Sequence, residues 1–333
     1  MRILLLRTWL RNIGNGIIEK GCRMALERAF PNAEIYETSG YPFVSADLKE
    51  RGELNEIFKL MGRFGQQLET KARERNEYRK NVFQIGDSIA DIDLVVLPGC
   101  VLHEFAIRPY QNLIENLRQR DVPLLLLGVG GGDYERDTIR YVSNWLQETE
   151  STSIITRDPE AYSYYSDYVE NAYDGIDCGF FIDEWYSPPN SQDSFKAATF
   201  DKIDEPDIDA PLTVRPDHNP LGDSRPYQSI LRTLKNKLFN QSEFSDENVL
   251  VSDMIEDYLY VYGNAEETHS DRIHACVPAL AYGNKARFYI ETPRDHLFEN
   301  VLADDISQGL VELQPEQIEL EKEKQVEMIR EFV

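Results

Sequence analysis

The sequence predicts an α/β protein made of two doubly wound, Rossmann-like halves that enclose a cleft. Three observations predict it. Short aliphatic runs alternate with stretches whose apolar residues keep helical spacing, which is the rhythm of strand–helix–strand units. The aliphatic runs are apolar at consecutive positions, as strands covered on both faces of a parallel sheet must be. Composition then changes at 187–211, where four prolines, several Asp and Ser and little periodicity read as a linker or surface loop. The expected division is a first α/β domain over 1–186, a linker over 187–211, a second α/β domain over 212–314 and a helix over 315–333. Ligands of such sheets bind outside the carboxyl ends of the strands, so the cleft is where function is expected.

Residues 3–6 form the first expected strand, followed by a loop at 12–16 and a helix over 17–30 that stops before Pro31. Strands follow at 33–36, 93–97 and 122–127. The 93–97 strand is broken by Pro98 and Gly99, and the 122–127 strand runs into the glycine-rich turn at 128–132. Leu54, Ile57, Phe58, Met61, Phe64 and Leu68 keep helical spacing on a charged background. They predict a long helix over 47–80 that covers a face or closes as a lid. Helices at 107–120 and 137–147, a strand at 153–156 and a Tyr-rich helix complete the first domain. The second holds strands at 212–214, 249–251, 267–270 and 286–290, with helices at 253–262 and 272–282. Pro315 opens a last amphipathic helix carrying Ile318, Leu320, Val326 and Ile329.

The chain has 333 residues, long enough for two cores, and 41% of them are apolar, too many for a disordered acidic chain. Its 59 acidic against 35 basic residues give a net charge of −24. That surface excludes nucleic acid, whose phosphates need a basic face, and docking on anionic lipid. Among the basic residues, 23 are Arg and 12 Lys. An acid-rich, Lys-poor surface suits a high-salt cytoplasm, where screening relieves self-repulsion; an ordinary acidic cytosolic enzyme is the other reading. Cys22, Cys100, Cys178 and Cys276 form no C-x-x-C pair, so free thiols in a reducing cytoplasm are expected. No apolar run reaches the length of a membrane span.

The stretch with the most chemistry is 268–283. A short strand runs into a helix that starts near Asp271, whose carboxylate suits an N-cap. Arg272 and His274 then fall in the first turn. Free N–H groups and the positive end of the helix dipole favour an anion there, and Arg adds a planar fork for phosphate or carboxylate. Histidine is the side chain whose ordinary pKa lies nearest neutrality, so His274 suits proton transfer to or from oxygen. The bland alternative is an Arg paired to a local carboxylate and a His packed in the core. Residue types alone leave both open. His269 and His274 lack a third ligand in spacing, so no metal is expected. The turn at 128–132 lacks the G-x-G-x-x-G pattern and its following acid, which argues against a dinucleotide. The tyrosines at 162–168 read as surface packing before sugar stacking.

The run Thr268-His-Ser-Asp-Arg-Ile-His-Ala275, then Ala279-Leu-Ala-Tyr-Gly283, resembles the signature of the polysaccharide pyruvyl transferase family. Further segments fall in that family's order. Asn12-Ile-Gly-Asn-Gly16 resembles its first-loop motif, Asp93 to Gly99 its strand into a Gly-Gly loop, and Gly128 to Gly132 its Gly-rich turn. Thr156-Arg-Asp158 resembles its Arg-Asp element and Asp177 to Phe181 its Asp-x-x-Phe stretch. Asn15 stands where the family usually has Asp, and Cys100 where a second Gly is common. With its Lys-poor acidity the chain would be a haloarchaeal-like member.

The resemblance implies a GT-B-like two-domain fold. It also implies transfer of a carboxyvinyl-derived group from phosphoenolpyruvate to two sugar hydroxyls of a glycan, giving a pyruvate ketal. Phosphoenolpyruvate is then a co-substrate and no cofactor is expected. Under this reading His274 is the general acid or base and Asp271 orients it. Arg272, Ser270 and Arg215, the last at the end of a strand, hold the anionic donor. Asn12, Gly14, Asn15, Gly99 and His103 face the acceptor. A nucleotide-sugar glycosyltransferase and a non-catalytic glycan-binding relative stand as alternatives.

Overall fold

The computed structural model describes residues 1–7, 12–39, 85–149, 151–218 and 248–333; the helix expected over 47–80 lies outside them. In the first domain the strands are β1 (Arg2–Arg7), β2 (Glu34–Ser39), β3 (Leu94–Pro98), β4 (Leu124–Val129), β5 (Thr152–Thr156) and β6 (Asn171–Asp174). They pair in parallel in the order β2-β1-β3-β4-β5-β6. Helices α1 (Ile13–Ala29), α2 (Glu104–Arg118), α3 (Arg136–Glu148) and α4 (Pro159–Tyr165) connect them.

Residues of alternate parity serve opposite faces of this sheet, as the two-residue period of a strand requires. Ile3, Leu5, Leu94, Val96, Leu125, Leu127 and Ile155 join α1 in one buried cluster, while Leu4, Leu6, Val95, Leu97, Leu124, Leu126 and Ile154 join the other helices in a second.

The second sheet contains β7 (Lys196–Thr199), β8 (Thr213–Pro216), β9 (Val249–Leu250), β10 (Glu267–Ser270) and β11 (Lys285–Phe288), parallel in the order β11-β10-β7-β8-β9. Its helices are α5 (Ile255–Asn264) and α6 (Ile273–Ala281). The stretch 187–211 is therefore no mere linker, because it supplies β7 at the centre of this sheet. Ala197 and Ala198 are buried there, and alanine, a poor strand signal, hides the strand in the sequence.

The final helix α7 (Pro315–Glu331) returns to the first domain. Arg330 donates to the carbonyls of Ala29 (3.0 Å) and Arg28 (2.7 Å), closing the C-terminal end of α1. Buried Lys322 pairs with Asp183 at 2.7 Å, and Gln325 Oε1 accepts from the Ile176 N–H at 2.7 Å. Leu320, expected on the apolar face, is exposed. Two Rossmann-like domains with a C-terminal helix crossing back make the GT-B-like plan.

Strand order reverses at β1/β3 in one sheet and at β7/β10 in the other. Such switch points open crevices at the carboxyl ends of the strands. Here the two crevices meet, with α1, the turn Cys178–Phe181 and α6 sharing one core between the domains.

Candidate active site

His274 stands at the meeting point. Pro278 lies four residues on, inside α6, and a proline there removes an N–H and crowds the carbonyl of residue i−4. His274 accordingly leaves helical geometry (φ −82°, ψ 19°). Its Nε2 lies 3.3 Å from Oδ2 of Asp177, which also accepts from Arg157 Nη1 at 2.8 Å. Asp177 Oδ1 takes the Gly179 N–H at 2.7 Å. Asp177 and Arg157 are buried, with 0% and 1% exposure. Burial by itself raises a carboxyl pKa, yet His274, Arg157 and the Gly179 N–H together hold Asp177 far below the usual carboxylate range. A buried carboxylate beside Nε2 favours the tautomer that carries its ring proton on that nitrogen.

Asp271, expected to orient His274, does something else. Its buried carboxylate accepts the N–H groups of Asp201 (3.0 Å), Lys202 (2.6 Å) and Ile203 (3.0 Å), fixing the loop after β7. The carboxylate beside the His274 ring is that of Asp177. Ser270 is likewise structural: its Oγ donates to the Thr199 carbonyl and accepts the Arg272 N–H, both at 2.8 Å. Arg272 forms an ion pair with Asp201 through Nε (2.8 Å) and Nη2. Arg215 is turned elsewhere, fork to fork with Glu205 at 2.8 Å on both oxygens. The strand that carries it reaches the site through His218 instead.

His218 is buried, 2.5 Å from Tyr262 Oη, and its carbonyl accepts the Ile13 N–H at 3.3 Å. Burial and the nearby charges of Arg272 and His274 push its pKa down to about 3. The cations that accompany Arg272 are Lys202 and Arg294. Burial first, then the charges of Arg272 and Arg294, lower the pKa of Lys202, while Asp271 and Asp201 act in the opposite sense, so Lys202 lies among two arginines and two carboxylates.

On the first domain, Asn12 caps α1 by accepting the Gly14 N–H at 3.0 Å, and the Asn15 N–H bonds to the Asn12 carbonyl at 2.9 Å. Gly14 is the point of contact: a Cβ there would lie 2.8 Å from Cβ of His274. Gly99 is a turn residue with φ +85°, and its carbonyl accepts the Gly130 N–H at 3.2 Å. His103 caps α2, its Nδ1 accepting the Ala106 N–H at 3.2 Å. The glycine turn is pinned by Tyr134, whose hydroxyl accepts from Gly131 N–H at 3.1 Å and donates to Asp158. A Cβ on Gly132 would lie 3.0 Å from Arg294 Nη2, so this turn and the loop after β11 face each other.

The structure thus brings together His274, Arg272, Asn12 and Gly14, and adds Asp177, Arg157, His218, Lys202 and Arg294. Asp177 and Arg157 lie in segments quoted for their family resemblance; His218, Lys202 and Arg294 carry no spacing that would have flagged them. Among the described residues, no three His, Cys, Asp or Glu are grouped to hold a metal ion.

The polysaccharide pyruvyl transferase family model matches residues 12–286, most of the chain and both sides of this site. The chain belongs to the polysaccharide pyruvyl transferase family. No curated protein matches this family member. Among solved structures it is similar to a functionally uncharacterised protein from Klebsiella pneumoniae, at 12% identity and TM-score 0.43 over 90% of this chain and 87% of that one. It is also similar to UDP-GlcNAc 2-epimerase from Methanocaldococcus jannaschii (11%, TM-score 0.44, 97% and 92%). A third is the glycosyltransferase SnogD from Streptomyces nogalater (14%, TM-score 0.41, 100% and 94%). These likenesses are of loose overall plan and carry nothing about the chemistry of this family member.

Proposed function

We propose that the protein transfers a pyruvyl group from phosphoenolpyruvate to two hydroxyls of a sugar in a glycan or its precursor, forming a ketal and releasing phosphate. The observation that carries this reading is a histidine 3.3 Å from a buried carboxylate, with Arg272 two residues away and Lys202 and Arg294 within its electrostatic reach, in a protein of charge −24. Phosphoenolpyruvate brings a phosphate and a carboxylate, and Arg272, Lys202 and Arg294 are the groups to receive them. Among the described residues Arg272 uses Nε and Nη2 on Asp201, which leaves Nη1 to meet an anion.

Two C–O bonds form at C2 of the donor and the C2–O bond to phosphate breaks. Of the two protons given up by the hydroxyls, one goes to C3, which becomes the methyl group, and the other leaves with phosphate. No electrons are exchanged. His274 Nδ1 takes a hydroxyl proton or returns one, while Asp177 holds the ring and balances the imidazolium formed. Gly14 and the cap at Asn12 line the acceptor side.

The test is incubation with labelled phosphoenolpyruvate and candidate glycans, following phosphate release and ketal formation by mass. Transfer that falls at least about a hundredfold in His274→Ala supports the assignment. Nucleotide-sugar consumption without use of phosphoenolpyruvate overturns it.

A further inference from the structure

The first turn of α1 has N–H groups with no partner inside the helix. Asn12 meets two of them, its Oδ1 accepting the Gly14 N–H at 3.0 Å and its carbonyl the Asn15 N–H at 2.9 Å. The Ile13 N–H is met from the other domain, by the carbonyl of His218 at 3.3 Å. Gly14, the next residue, is the one whose Cβ would lie 2.8 Å from Cβ of His274. His218 therefore stands directly behind the turn that faces His274.

Two elements fix the segment that carries His218. The Asp217 N–H extends the ladder, donating to the Leu250 carbonyl of β9 at 2.9 Å. Tyr258 and Tyr262 lie one turn apart on the same face of α5. The Tyr258 hydroxyl donates to the Asp217 carbonyl at 2.8 Å, and the Tyr262 hydroxyl lies 2.5 Å from His218 Nε2. Both phenol rings meet the imidazole edge-on, with centroids 6.0 and 5.8 Å away. Tyr262 Oη is also 3.1 Å from Thr199 Oγ1 at the end of β7. His218 is 3% exposed and Tyr262 0%, and buried hydrogen bonds that cannot be exchanged for water hold one geometry. The ring stays neutral, its pKa pushed down by burial and then by Arg272 and His274, so it orders its surroundings without adding charge.

We infer that His218 is a positioning residue: its ring bond to Tyr262 fixes its carbonyl on Ile13, and so sets the 12–14 turn of the first domain against His274 of the second. The inference rests on the transferase reading for the part that His274 plays. A ring released from Tyr262 lets the carbonyl swing away from Ile13. The turn on the acceptor side then shifts relative to His274, while Arg272, Lys202 and Arg294 keep their own contacts. The expected loss is in turnover and not in donor binding, because an interaction that matters only in the transition state lowers kcat and kcat/KM together.

The experiment compares His218→Asn, His218→Gln, Tyr262→Phe and the double variant His218→Asn with Tyr262→Phe, each in the full chain. Gln is neutral and its amide reaches the place of Nε2, whereas Asn is one bond too short. Tyr262→Phe removes a hydroxyl and keeps the core filled. Amide exchange at Ile13, read by NMR, is expected to be at least about tenfold faster than wild type in His218→Asn and Tyr262→Phe, and near wild type in His218→Gln. In the same two variants kcat falls at least about tenfold, with KM for phosphoenolpyruvate held within about threefold. His218→Gln recovers most of kcat, and the double variant falls no further than either single one. Unchanged Ile13 exchange, equal losses in His218→Gln and His218→Asn, or losses that multiply in the double variant overturn the inference. Exchange that follows the ring bond in a chain that turns over no phosphoenolpyruvate upholds the link and overturns the transferase reading alone.

Discussion

At the scale of single residues, the site turns on which carboxylate serves which group. Asp177 and Asp271 are both buried acids near His274, yet one bonds the ring and the other three backbone N–H groups. The two substitutions therefore separate. Asp177→Asn keeps the shape but loses the charge beside the ring, so turnover falls by about a hundredfold or more with binding of the proposed donor retained. Asp271→Asn unpins the 201–203 loop and costs about 1–3 kcal/mol of stability; steady-state kinetics with urea unfolding reads both. His218 gives a pH signature. Its pKa is depressed in the folded state, so its contribution to stability is complete above its ordinary value of 6.5 and is lost as pH falls toward 3. Between pH 7 and 5.5 the wild type should lose about 1 kcal/mol that His218→Asn does not lose, as measured by urea unfolding at the two pH values.

At the scale of elements, the strands β1 to β5 of the first domain are legible because long aliphatic runs leave few readings. β7 and β6 are not: their sequences, KAAT and NAYD, are short and small or polar, and their place comes from neighbours that no local pattern encodes. The same division holds for the site. Arg272 and His274 lie two positions apart at the start of α6, so one local pattern points to both. Asp177 lies 97 positions from His274, and only packing joins them. Gly14 and Pro278 show how elements set the geometry. Gly14→Ala places a methyl against Cβ of His274, so the ring must move, and a displacement of about 1 Å costs on the order of a hundredfold in rate. Circular dichroism of that variant should stay native while transfer collapses. Pro278→Ala restores an N–H for the His274 carbonyl, so α6 regularises: thermal stability holds or rises while transfer falls. Unchanged transfer would remove Pro278 from any part in shaping the site.

At the scale of the molecule, the charge of −24 and the cations Arg272, Lys202 and Arg294 act over different distances. Repulsion among acids and of an incoming anion is long-ranged. It extends about 10 Å at 0.1 M salt and about 3 Å at 1 M. The contacts that hold the fold are short: Glu37 meets Arg23 at 2.8 Å and Lys20 at 3.2 Å, and Arg157 meets Asp177 at 2.8 Å in full burial. Salt therefore removes repulsion between distant like charges before it weakens contact pairs. Exposed pairs are worth at most about 1 kcal/mol each, so their partial loss does not reverse the balance. Two consequences follow from one cause. Thermal stability should rise from 0.1 to 1 M potassium chloride, and kcat/KM for an anionic donor should rise with it, because the approach to the cleft ceases to be repelled. A neutral solute at matched osmolarity separates screening from exclusion, since it leaves the donor's approach unchanged. Faster turnover at 0.1 M than at 1 M would mean that contact attraction to Arg272, Lys202 and Arg294, not the field of the whole surface, governs donor capture.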